Sequence, residues 1–114
     1  MKKRREMTEQ AFELIAGRFR VLAEPMRLKI LHALEPGEMT VSELVEATGG
    51  TQANISKHLG ILLDAHFVSR RKEGLNAYYA LFDDSVFFLC DAVCSSLDKR
   101  LSAQHDAVRS FSRR

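Results

Sequence analysis

The segment VSELVEATGGTQANISKHLGILLDA, residues 41–65, decides the fold that we predict. Thr40 precedes it as a candidate N-cap, and Glu43 follows three residues later, which is the spacing of a capping box. Gly49 and Gly50 end this helix, and the next apolar residues form one helical stripe. They are Ile55, Leu59, Leu62 and Leu63. Two short helices that meet across a glycine turn form a helix-turn-helix.

A β-hairpin is predicted directly after this motif. Residues 68–72 and 77–82 have the composition of short strands, and the sequence EGLN at 73–76 favours a turn between them. A hairpin in this place is the wing of a winged helix, which we assign to residues 68–82.

The flanking segments are predicted to be helical. A first helix spans residues 8–24, because Thr8 is a fair N-cap and Pro25 disfavours helical geometry in the residue before it. A long helix spans residues 84–110, with apolar residues in steps of three and four, as in a coiled-coil seam. Residues 1–7 are a basic tail. The predicted fold is mainly α with a small β-hairpin, in one winged helix-turn-helix domain.

The terminal helices are predicted to form a dimer interface. A helix as apolar as 84–110 needs a second surface to cover it, and two copies around a two-fold axis would supply that surface. The predicted interface residues are Phe12, Ile15, Phe19, Phe87, Cys90, Cys94, Leu97 and Leu101.

Composition narrows the class of protein. The 114 residues fit one domain, and the net charge of +2 does not by itself indicate nucleic acid. No apolar run is long enough to cross a membrane, and no signal segment follows the basic start, so we expect a cytoplasmic protein. The four histidines lie at no catalytic spacing, and we expect no enzyme.

Three stretches resemble the ArsR/SmtB family of bacterial repressors. They are LAEPMRLKILHAL (22–34), VSELVEATGGTQANISKHLGILLDAHFV (41–68) and RRKEGLNAYYAL (70–81). Their order and spacing agree with the family over more than half of the chain. The resemblance implies a helical dimer with one wing per subunit, and repression that is relieved when an inducer binds.

This chain departs from the inducer sites of that family. Many members carry a Cys-x-Cys pair where Thr40 and Ser42 stand here. Others bind zinc through an Asp-x-His and a later His/Glu pair; Asp83 matches, but the other positions read Ser85, Ser96 and Lys99. The resemblance therefore implies neither site. His66 stands where a glycine commonly precedes the wing.

The second helix of the motif is the predicted recognition helix, since its first residues would enter the major groove. Gln52 and Asn54 suit adenine, and Ser56 suits either base. The predicted DNA-contacting residues are Thr51, Gln52, Asn54, Ser56, Lys57, His58, Arg70, Arg71 and Lys72. Alternatives stay open: Thr51 as a plain N-cap, His58 packed at the helix foot, and the wing cations merely solvated.

Cys90 and Cys94 have two interpretations. They are small buried hydrophobes of the seam, or a thiol sensor for a thiophilic metal, a metalloid or a reactive sulfur species or oxidant. We expect no obligatory cofactor and assign no metal beyond these thiols. The expected partners are a second copy of the chain and double-stranded DNA with an imperfect inverted repeat. A protein-binding winged helix and a repressor without an inducer are the alternatives.

Overall fold

The structure is a computed structural model that describes residues 5–104, with side chains as far as Leu101. The described part contains five helices and one two-stranded antiparallel sheet. In chain order they are α1 (Glu9–Leu22), α2 (Pro25–Ala33), α3 (Val41–Thr48), α4 (Gln52–Asp64), β1 (Val68–Glu73), β2 (Asn76–Leu81) and α5 (Ser85–Gln104). The predicted fold class, mainly α with a small hairpin, is confirmed.

Side-chain caps fix where the helices begin. The hydroxyl of Thr8 accepts a hydrogen bond from the backbone N–H of Ala11, 3.0 Å away. Thr40 and Glu43 form a complete capping box at the start of α3. Because each cap satisfies an amide that the helix itself leaves unpaired, these residues set the helix boundaries.

The wing is a six-residue ladder closed by a two-residue turn. Glu73 pairs with Asn76, so Gly74 and Leu75 alone make the turn. Gly74 has a φ of 63°, whereas Leu75 is not among the residues with positive φ. This is the pattern of a type II′ turn, which requires glycine at its first central position. Met39 adds a short bridge to Tyr79, so the loop before α3 extends the hairpin.

The core lies where α2, α3 and α4 pack together beneath the hairpin. Its side chains are large and aliphatic except for one phenylalanine, and none of them is more than 2% exposed. They are Ile30, Leu31, Leu34, Leu44, Ile55, Leu59, Leu62, Phe67 and Val68. This packing holds α4 by one face and leaves its other face outside.

The chain divides into two compact units, one ending at Asp83 and the other beginning at Asp84. The first contains α1–α4 and the hairpin, and α5 belongs to the second. The predicted helix end at residue 110 and residues 1–4 of the predicted tail lie outside the described residues. No helix among residues 5–104 is both long and apolar enough to cross a membrane.

Candidate DNA-binding surface

Helix α4 presents a polar face beside a fully buried one. Gln52, Ser56 and Lys57 are exposed, and Asn54 is half-buried. Thr51 is the N-cap: its hydroxyl accepts from the backbone N–H of Asn54 at 3.2 Å. Backbone N–H groups at a helix start that carry no intrahelical partner can bind a phosphate oxygen. Thr51 can therefore cap α4 while other amides of its first turn stay available to a phosphate.

His58 departs from the predicted set of DNA contacts. Its side chain is only 6% exposed, and its Nδ1 lies 3.1 Å from Nη1 of Arg27. Its Nε2 lies 3.8 Å from a carboxylate oxygen of Glu24. A side chain this buried does not support the expected DNA contact of His58. It agrees with the alternative interpretation, in which His58 packs within the protein. In the sequence, His58 follows Ile55 by three residues and precedes Leu62 by four, which places it on the buried stripe.

The protonation state of His58 follows from its neighbour. A guanidinium donates hydrogen bonds and cannot accept one. Nδ1 of His58 must therefore accept from Arg27, which leaves a neutral imidazole with its hydrogen on Nε2. Burial is the largest influence and lowers the pKa of His58; Arg27 and Lys57 lower it as well, whereas Glu24 raises it.

The wing arginine Arg71 is held within the protein. Its guanidinium donates to both carboxylate oxygens of Glu38, at 3.1 and 2.6 Å, and to Glu73. It also lies over the ring of Tyr78, 4.7 Å from the centroid. These hydrogen bonds raise the pKa of Arg71 above its ordinary value, and the one to Glu38 lowers the pKa of that carboxyl. Arg71 therefore ties the wing to the loop before α3.

Arg70 and Lys72 differ from Arg71 in their environment. Side chains alternate along a strand, so these two share one face of the hairpin and Arg71 lies on the other. Both are exposed, and neither makes an ion pair within residues 5–104. Of the three predicted wing cations, these two are the ones that a phosphate can reach without breaking an internal pair.

Arg18 forms an ion pair with Asp83, the aspartate that matches the zinc pattern of the family. Its guanidinium donates to Asp83 at 2.7 Å and to the carbonyl of Ala65, and it stacks 3.8 Å from the ring centroid of Phe67. One side chain of α1 thus ties the end of α4 to the end of the wing. The role of Arg18 could not be predicted from the sequence, because neither spacing nor charge pattern marks a contact between residues 18 and 83.

The two thiols lie on α5 in different surroundings. Cys90 is half-buried and Cys94 is exposed, and neither forms a disulfide. Burial raises the pKa of Cys90, and the nearby Cys94 and Asp91 raise it further. Within residues 5–104 there is no group of three or more His, Cys, Asp or Glu side chains placed to hold a metal ion.

The family model described as "Bacterial regulatory protein, arsR family" matches residues 24–70, from the start of α2 into β1. The arsenical resistance operon repressor of Bacillus subtilis is 35% identical over 85 residues, which cover 73% of this chain and 81% of that relative. The chain belongs to the ArsR family. The resemblance predicted from the sequence is thereby confirmed, and the family is one of regulatory proteins.

One further relative and one solved structure are also similar to this chain. A probable mercury resistance operon repressor of Streptomyces lividans is 43% identical over 68 residues, or 60% of this chain and 54% of that relative. The chain thus spans about half the length of that repressor. The crystal structure of Rv0081 from M. tuberculosis superposes with a TM-score of 0.72 at 30% identity, covering 85% of this chain and 98% of that one.

A second solved structure matches nearly the whole chain. The homodimeric winged helix-turn-helix DNA-binding domain of Mb0332 from Mycobacterium bovis superposes with a TM-score of 0.69 at 28% identity. The match covers 92% of this chain and 97% of that domain. The matched region of the ArsR family model ends before α5, so Cys90 and Cys94 lie outside what the family model describes.

Proposed function

We propose that this ArsR-family protein is a sequence-specific DNA-binding transcriptional repressor of the cytoplasm, and not an enzyme. The observation that carries the proposal is the polar face of α4. This helix is held by a face buried to 0% exposure at Ile55, Leu59 and Leu62, while Gln52, Ser56 and Lys57 stay outside. A rigid helix with a polar outer face is what major-groove recognition requires.

Each outer residue has a proposed role. Gln52 and Asn54 pair with adenine through their amide groups, and Ser56 contacts either base. Lys57, Arg70 and Lys72 bind phosphates, as do the free amides after Thr51. Arg71 reaches DNA only if its pairs with Glu38 and Glu73 open, and His58 is not part of this surface.

We further propose that the repressor is a homodimer. In α1, Phe12, Ile15 and Phe19 are 54%, 40% and 53% exposed, and α5 exposes Leu97 and Leu101 as well. Large exposed apolar patches are rare on a monomer and mark an interface. A two-fold dimer presents two copies of α4 about 34 Å apart, so the operator is an imperfect inverted repeat with half-sites one helical turn apart.

A thiophilic ion is the proposed inducer, acting at Cys90 and Cys94. Residues four apart in a helix have β-carbons about 5–6 Å apart, which is wider than the roughly 3.5–4.5 Å of a disulfide. The raised pKa of Cys90 also disfavours the free thiolate that oxidation needs. A soft metal or metalloid ion spans the wider gap and displaces the thiol protons. A double Cys90→Ser, Cys94→Ser variant that still releases DNA fully on addition of arsenite would make the thiols packing residues.

The test of DNA recognition compares three variants at fixed salt. Gln52→Ala should reduce the preference for the operator over a scrambled duplex, since one good base pairing is worth about 1–3 kcal/mol of discrimination. Arg70→Ala should weaken binding to both duplexes alike and lower the salt slope by about 1. Arg71→Ala is the matched control on the opposite face of the wing and should change affinity less than Arg70→Ala.

The contrary results are distinct. Equal losses on both duplexes for Gln52→Ala would remove the proposed base contact. A larger loss for Arg71→Ala than for Arg70→Ala would place the other face of the wing on DNA. If the unmodified protein binds no duplex from its own upstream region, the alternative function, a winged helix that binds another protein, is favoured.

A further inference from the structure

We propose that His58 is a positioning residue for DNA binding: as a neutral imidazole it fixes the recognition helix α4 to the corner between α1 and α2, and its protonation releases that tie. The inference rests on the proposed function, because it concerns the placement of α4 against DNA. It concerns a residue that lies inside the protein and touches no base.

A continuous chain of contacts joins the three helices. Nε of Arg27 donates to the carbonyl of Val21 near the end of α1, at 2.6 Å. Nη1 of the same guanidinium donates to Nδ1 of His58 on α4, at 3.1 Å. Glu24 caps α2, since its carboxylate accepts from the backbone N–H of Arg27 at 3.1 Å, and it also faces Nε2 of His58. Arg27 thus joins α1, α2 and α4 through one side chain.

The contact exists in one protonation state of His58 only. The imidazolium carries N–H on both ring nitrogens, so its Nδ1 would point a hydrogen at the N–H of Arg27. The charged groups that act on the ring are Glu24 and Arg27 at the start of α2 and Lys57 on α4. Glu24 favours the imidazolium, but burial and the two cations outweigh it, and the pKa of His58 falls below 6.5.

The consequence runs against the ordinary effect of acid on a DNA-binding protein. Protonating an exposed histidine adds positive charge, which strengthens contact with phosphates. Protonating His58 instead breaks the tie to Arg27. Acid should also reduce the free energy of unfolding. Below about pH 6.5 the unfolded chain protonates at His58 while the folded chain resists protonation there, because the pKa of folded His58 is lowered. The stability that this residue contributes above that pH is therefore lost as the pH falls toward the lowered pKa.

The experiment uses the whole protein and a duplex that it selects from a random library at about pH 7.5. Fluorescence anisotropy at constant salt then gives the affinity down to about pH 5.5. The protein should lose affinity by up to about tenfold, because each pH unit below a pKa multiplies the protonated-to-neutral ratio by ten. His32→Asn is the matched control on the exposed side of α2 and should lose affinity in the same way.

The decisive variant is His58→Asn. The Oδ1 of asparagine can accept from Arg27 as Nδ1 of His58 does, and it does not titrate. It should bind within about threefold of the unmodified protein at pH 7.5, where both residues accept one hydrogen bond. Its affinity should not decrease as the pH falls. A decline that parallels that of the unmodified protein would overturn the proposal.

A second measurement needs neither a variant nor DNA. Nitrogen-15 NMR of the imidazole should show a neutral His58 with its hydrogen on Nε2 at neutral pH. A hydrogen on Nδ1 would exclude the bond from Arg27 and overturn the inference, while leaving the proposed DNA-binding function intact. Absence of binding to every duplex would instead remove the proposed function and leave the tautomer assignment standing.

Discussion

Helices α4 and α5 both carry an apolar stripe in the sequence, but their stripes end up in opposite environments. In α4, Leu59 and Leu62 are fully buried within one protomer, whereas Val93, Leu97 and Leu101 of α5 are 57%, 49% and 47% exposed. Both patterns predict a face that needs covering. The difference shows that periodicity identifies such a face without identifying what covers it. For α4 the cover is the rest of the domain, and for α5 we propose a second copy of the chain.

The same truncation in the two helices tests this comparison, and its largest effect is expected in α4. Leu59→Ala should lower the free energy of unfolding by about 2–5 kcal/mol, since it removes buried methyl groups and leaves a cavity in a closed core. Urea unfolding followed by circular dichroism measures the change. The loss should be the same at every protein concentration, because the cavity lies inside one protomer. A loss below about 0.5 kcal/mol would show that the core at Leu59 is not closed.

The matching truncation in α5 should act on association. Leu97→Ala should raise the dissociation constant of the dimer about tenfold or more, because a two-fold axis loses the contact twice and burying a leucine side chain contributes about 1.5–3 kcal/mol. Analytical ultracentrifugation over a dilution series measures it. Lys99→Ala, on an exposed and charged position of the same helix, is the control and should leave the constant nearly unchanged.

The comparison fails in a recognisable way. If Leu97→Ala lowers the stability of a dilute, monomeric sample as much as Leu59→Ala does, α5 is covered within its own protomer. If the unmodified protein is monomeric throughout the concentration range, the exposed residues of α1 and α5 serve some other contact. Either result would separate the dimer proposal from the winged-helix fold, which does not depend on it.

The elements themselves could be predicted because their signals are local. Thr40 with Glu43, the glycine pair at 49–50 and the turn at 73–76 each act within a few residues, and the structure has helix and strand boundaries there. The sequence leaves Thr51 open between an N-cap and a phosphate contact, and in the structure its hydroxyl caps α4. Such signals can be recognised in the sequence because a cap or a turn glycine acts on residues only a few positions away, and here the tertiary packing agrees with them.

The site could be predicted only where the residue faces away from the rest of the protein. Gln52 and Ser56 are exposed as a recognition helix requires. His58 and Arg71 have polar side chains too, but Arg27 and Glu38, 31 and 33 residues away in sequence, pair with them. Composition cannot distinguish a cation that is free to bind phosphate from one already paired across the fold. That distinction depends on tertiary contacts alone.

The smallest expected effect lies where α4 gives way to the wing. His66 has a φ of 64°, a region that costs most side chains about 1–2 kcal/mol. His66→Gly removes that strain, but glycine gains conformational freedom in the unfolded chain. It also removes the ring that lies 6.5 Å from Phe82. The net stabilisation should therefore be about 0.5 kcal/mol, measured by urea unfolding.

A reverse substitution in the wing provides the control for this prediction. Gly74 has nearly the same φ, 63°, and open space around the position of a Cβ. Gly74→Ala should destabilise by about 1–3 kcal/mol, since the first central position of a type II′ turn strains any residue other than glycine, even without a steric collision. The two substitutions should therefore have opposite signs. If His66→Gly destabilises the protein instead, the contact of His66 with Phe82 outweighs the backbone strain. The His66 side chain then stabilises the junction between α4 and the wing.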